Sequence, residues 1–215
     1  MLKYVGAGFS RPNFMLPLFF GVLLSAQAPC PPDAAALIDD ASARAVGLDL
    51  AGAAGRLIAA AQRCPDASVA AWYIRGLVDA QEAFRQGGSP EALAPVREAI
   101  AALESAAQSR PGPAEIARLT LRAAAAAAQS ERDELRLYIE SAVRMESIQR
   151  AAGWPGAPIV PAAEIAGDLW LQVHRYEDAR RSYMDAAAQL GVTPRIRAGL
   201  ARVAARLNDP GVVQP

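Results

Sequence analysis

Residues 163–194 read AEIAGDLWLQVHRYEDARRSYMDAAAQLGVTP. Ala163, Ala166 and Gly167 fall on one side of a helix, where small side chains let a second helix approach closely. Leu169, Trp170 and Val173 supply bulk along the neighbouring rows. His174-Arg175 is the expected turn. Tyr176, Ala179, Tyr183 and Ala186 then recur at i, i+3, i+7 and i+10, one stripe of a second helix. Gly191 suits a helix C-terminus, and Thr193-Pro194 suits a fresh start, with Thr as cap and Pro at the first helical position. The stretch therefore reads as an antiparallel pair of short amphipathic helices, and the chain upstream as looser versions of the same unit.

The chain has 215 residues, enough for one domain or a short repeat array. Ala, Leu, Arg and Glu dominate and β-branched runs are almost absent, which favours helix throughout. The formal net charge is zero, so there is no electrostatic case for nucleic-acid binding. Lys3 is the only lysine; a P-loop lysine, a Schiff-base lysine and a kinase-type lysine are all excluded if the N-terminus is removed.

Residues 1–28 read as a secretory signal peptide. Lys3 and Arg11 give a positive start, residues 13–24 (NFMLPLFFGVLL) an apolar core too short to span a membrane comfortably, and Ala26-Gln27-Ala28 a small-x-small cleavage site. An uncleaved anchor is the alternative. The mature chain is expected to be periplasmic or secreted. Cys30 and Cys64 follow, and an oxidising compartment favours a bridge between them. In an antiparallel hairpin of helices over about 33–46 and 48–63 both cysteines fall at the same tip; two free thiols is the other reading. Cys30, Cys64 and the distant His174 have the wrong number and spacing for a metal site.

Further helices are expected over about 66–86, 89–109, 113–128, 131–150, 161–173 and 176–190, paired in that order, with a ninth over 194–207. Pro95 is expected to tilt the fourth helix or delay its start. The alanine run 123–128 suits close packing of neighbouring helices. On the helix over 131–150, Leu135, Tyr138, Ala142, Met145 and Ile148 read as the core stripe. Residues 153–161 (GWPGAPIVP) form the most conspicuous loop. Its Trp154 either contacts a ligand or folds back over a groove between helices. Residues 29–207 make the helical domain and 208–215 a flexible tail.

Gly167-x-x-Trp170 followed by Ala179-x-x-x-Tyr183, with Tyr176 just before it, resembles the tetratricopeptide repeat, and Trp72 and Gly76 stand close to the same spacing. The resemblance implies an all-α fold, an α-α superhelix of about nine helices stacked as antiparallel hairpins. It also implies a non-catalytic scaffold or adaptor whose concave face, lined by the first helix of each pair, holds a protein or peptide partner. Glu164, Asp168, Leu171 and Gln172 are then the expected contacts, with Arg195, Arg197 and Arg202 a basic counterpart on the last helix.

Catalysis finds little support. His174 is the only histidine, no Gly-x-Ser-x-Gly elbow exists, and no glycine-rich phosphate loop appears. No cofactor is expected. Glu164 and Asp168, at i and i+4, share a helix face and could form an acid/base pair in a cell-envelope hydrolase; a solvated face is the blander reading. A structural subunit of an envelope or secretion assembly is a third possibility.

Overall fold

The computed structural model describes residues 30–109, 111–153 and 159–208. The expected signal peptide over 1–28, Trp154, and the tail beyond Asn208 lie outside the described residues. Among the described residues there are nine α-helices and no strand: α1 (Pro32–Val46), α2 (Leu50–Ala61), α3 (Ser68–Arg85), α4 (Ala94–Ala107), α5 (Pro111–Ala128), α6 (Arg132–Ala151), α7 (Ala162–Gln172), α8 (Tyr176–Leu190) and α9 (Pro194–Leu207). A 3-10 turn, Pro65–Ala67, leads into α3. No helix among these residues is long and apolar enough to cross a membrane.

The helix ends follow local chemistry. The Asp49 carboxylate accepts from the Gly52 N–H at 2.9 Å and caps α2, and the Thr193 hydroxyl accepts from the Ile196 N–H at 3.2 Å and caps α9. Pro194 follows its cap at the first turn, where its missing N–H costs nothing. The fourth helix starts later than the Ser89-Pro90 signal suggests. Residues 90–93 form turns, and α4 begins at Ala94 with Pro95 in its first turn. A proline deeper inside the helix would clash with the carbonyl four residues back, so the helix begins around it.

Consecutive helices pack as hairpins: α1 on α2, α3 on α4, α5 on α6, α7 on α8. The second helix of each hairpin touches the first of the next, through α2–α3, α4–α5, α6–α7 and α8–α9. First helices also touch one another, α3 on α5, α5 on α7 and α7 on α9. The hairpins thus succeed one another in space in chain order, and one apolar core runs from Ala41 in α1 to Val203 in α9. α5 lies in the middle of it, packed on α3, α4, α6 and α7. Its run Ala123–Ala128 is buried except for the half-buried Ala125, as close helix approach on several sides requires.

The core stripe of α6 is rotated from the expected one. Leu135, Ile139, Ala142 and Glu146 face inward, Tyr138 and Met145 are half-buried, and Ile148 is 64% exposed. The spacing 135, 139, 142, 146 follows the helix period as well as the expected stripe does, and burial of α6 between α5 and α7 selects it.

Cys30 and Cys64 are joined, with Cα atoms 5.3 Å apart, tying the start of α1 to the end of α2. An Asp33–Arg63 ion pair links the same two helix ends.

Candidate functional site

The polar side chains expected to face a partner converge where α7, α8 and α9 meet. Glu164 and Asp168 sit one turn apart on α7, and the start set by Thr193-Pro194 lays Arg195 and Arg202 of α9 across them. The Asp168 carboxylate accepts from the Tyr183 hydroxyl at 2.5 Å, Arg195 Nη1 at 2.9 Å and Arg202 Nη2 at 2.8 Å. Arg195 Nε lies 3.5 Å from Glu164 Oε2. Glu164 is only 6% and Arg195 only 7% exposed.

Two glycines make this arrangement possible. The Tyr183 ring of α8 is clamped between Gly167 of α7 and Gly199 of α9. A Cβ at Gly167 would stand 2.4 Å from Tyr183 Cε1, and one at Gly199 would stand 2.2 Å from Cζ. Only with both side chains absent can the ring pass between the helices and its hydroxyl reach Asp168.

The electrostatics fit a buried internal lock. Removal from water pushes the Glu164 carboxyl above its usual range, opposed by Thr193 and Arg195. Burial, and then the charge of Asp168, hold the Tyr183 phenol firmly protonated. Arg195 Nη2 is buried without a hydrogen-bond partner among the described residues.

The other expected contact residues are placed differently. Leu171 and Gln172, near the C-terminal end of α7, are half-buried, and Leu171 packs against the core. Arg197 is exposed on α9. His174 occupies the α7–α8 turn with φ +60°, and its Nδ1 lies 2.9 Å from the Tyr176 hydroxyl. Cys30, Cys64 and Asp66 bring three possible metal ligands together, but the two sulfurs are bonded to each other.

A second polar group, not anticipated from the sequence, anchors the start of α7. Glu146 of α6, 3% exposed, accepts from the Ala163 N–H at 3.2 Å, and Tyr73 of α3 donates to the Val160 carbonyl at 3.0 Å. Burial raises the Glu146 carboxyl, against the pull of that N–H and of Arg150. The end of the proline-rich loop, Ile159 and Val160, is thereby packed onto the core. The sign of Glu146 in the sequence is a carboxylate falling on the stripe of Leu135, Ile139 and Ala142.

The open surface near this site is a groove of about 700 Å³ between α6 and α8. Its floor is α7, through Ala163, Ala166 and Trp170, and Arg136 reaches over the Trp170 ring at 5.7 Å from its centroid. A second groove of about 840 Å³ lies on the other side of α6, against the start of α5. No family model matches the chain, and neither a curated protein nor a solved structure matches it.

Proposed function

We propose that this chain is an exported, non-catalytic helical-repeat scaffold, its hairpins stacked as a tetratricopeptide-like superhelix, that holds a peptide or helical segment of another protein. The observation that carries the reading is the groove between α6 and α8. Side chains of α6 and α8 form its walls, small and aromatic side chains of α7 its floor, and charges of both signs its rims: Arg144 and Glu140 on α6, Arg181 and Asp185 on α8. Apolar floors with polar rims are what peptide-binding grooves on helical scaffolds present. The chain-ordered packing of hairpins supports the repeat architecture. The Cys30–Cys64 pair supports export to an oxidising compartment.

Of the contacts implied by the repeat resemblance, Leu171 and Gln172 remain partly accessible. Glu164, Asp168 and Arg195 hold α7, α8 and α9 together, so in this reading the partner engages chiefly the α6–α8 groove. The same geometry favours a scaffold over a hydrolase, because the acid pair already carries two arginines and a tyrosine.

The test fills the groove. Ser182 lines it and is half-buried on α8. The Ser182→Trp variant and a remote control, Arg97→Ala, are each used for affinity capture from native envelope. A partner recovered with wild type and control, and at least tenfold less with Ser182→Trp, is the expected result. Equal recovery from all forms, or an envelope-polymer hydrolysis lost in the Glu164→Gln variant, overturns the reading.

A further inference from the structure

The outward face of α6 carries a pattern that the helix lock does not use, and its Glu140, Arg144 and Ile148 also stand at the edge of the α6–α8 groove. Leu137, Glu140, Ser141, Arg144 and Ile148 recur at i, i+3, i+4, i+7 and i+11, directly opposite the buried stripe of Leu135, Ile139, Ala142 and Glu146. Leu137 is 61% and Ile148 64% exposed, an unusual pair of large apolar side chains on one ridge. Glu140 and Arg144 are both exposed, and among the described residues neither forms an ion pair or a side-chain hydrogen bond. Ser141, between them, turns its hydroxyl back onto the Leu137 carbonyl at 2.7 Å and leaves a low point in the ridge.

This order is self-complementary. Turn a second α6 antiparallel about a two-fold axis between residues 142 and 143, and position i meets the residue whose number makes the sum about 285. Leu137 then meets the other copy's Ile148 and Glu140 its Arg144, and each contact occurs twice. Such duplication is what an isologous interface requires. Beside the ridge, Pro111, Gly112 and Met145 line the groove of about 840 Å³, which gives the incoming Leu137 a recess. We propose that this face of α6 is a homodimer interface, with a second copy of this chain as its occupant, held by reciprocal Leu137–Ile148 and Glu140–Arg144 contacts.

Glu140, Arg144 and Ile148 are shared with the α6–α8 groove, so the proposal is tested on the purified chain alone, where no groove partner is present. It is tested by molar mass from light scattering and by sedimentation equilibrium on the full purified chain. The variants are Glu140→Arg and Arg144→Glu, alone and together. All substitutions are at exposed positions, and circular dichroism and melting confirm the fold is kept. Wild type is expected at twice the chain mass. Each single variant places like charges opposite one another in both contacts and is expected to dimerise at least tenfold more weakly. The double variant, which exchanges the two charges, is expected within about threefold of wild type. An equimolar mixture of the two single variants is expected to form a mixed dimer, since their charges are then complementary across the axis. A wild-type chain that is monomeric up to about 100 µM, single variants that dimerise as well as wild type, or a mixture that stays monomeric would each overturn the proposal.

Discussion

At the scale of single residues, the decisive positions are those with no side chain. Gly167 and Gly199 are far apart in sequence, yet both press on the Tyr183 ring. That ring is fully buried, so it cannot swing away to admit a methyl group. Gly167→Ala and Gly199→Ala are each expected to destabilise the chain by roughly 1–3 kcal/mol, as overpacked cores do. Urea unfolding checks this, and Gly55→Ala, where a Cβ would meet nothing within 4 Å, is the control expected to be neutral or slightly stabilising. The smallness of Gly167 was legible in the sequence as a site of close helix approach. That Tyr183 fills the space was not, because Tyr183 reads only as one member of an apolar stripe.

At the scale of elements, the start of α7 shows how one helix is set by another. Pro161 precedes it and offers no side-chain cap, so the Ala163 N–H is met by Glu146 from α6. The carboxyl is buried, and its folded pKa is raised above the usual 4.5. A carboxyl raised in the folded state binds more protons there than in the unfolded state. Stability is therefore lost as pH climbs from the usual value through the raised one, and the loss is complete above it. Glu146→Gln keeps an acceptor for Ala163 but removes the titration. Its unfolding free energy is expected to fall less steeply than wild type over that window, the remaining slope including the similarly raised Glu164. Denaturant titrations from pH 4 to pH 7 measure the difference. Identical slopes would show that Glu146 does not titrate there.

At the scale of the molecule, each hairpin is buried by its neighbours, and among the described residues the first hairpin has a neighbour on one side. The Cys30–Cys64 bridge closes it across a sequence separation of 34 residues. In the loop-entropy view a bridge of that span stabilises by roughly 3–4 kcal/mol. Reduction is therefore expected to lower the melting temperature by on the order of 10 °C. Scans with and without reductant decide it. An unchanged transition would mean that packing of α2 on α3 holds the hairpin without help.

Much of the secondary structure could be read from the chain alone. The 3.6-residue recurrence of apolar side chains, and Gly and Pro at the breaks, are local signals, so the all-α class and most helix ends followed from them. The pairing of Cys30 with Cys64 followed too, because hairpin geometry brings both to one tip. Three things depended on tertiary structure. The orientation of α6 was ambiguous, since two overlapping stripes share one period and only contact with α5 and α7 selects between them. The fate of Glu164, Asp168 and Arg195 was also undecided: a charged residue on a helix reads as surface until another helix arrives with the opposite charge. Glu146 and Tyr73 were invisible as anchors because their partners are backbone groups at and just before the start of α7, distant in sequence. Periodicity along a chain tells which faces must be covered. Which face covers which is a long-range choice, made by the fit of volumes and charges across helices, and no local pattern carries it.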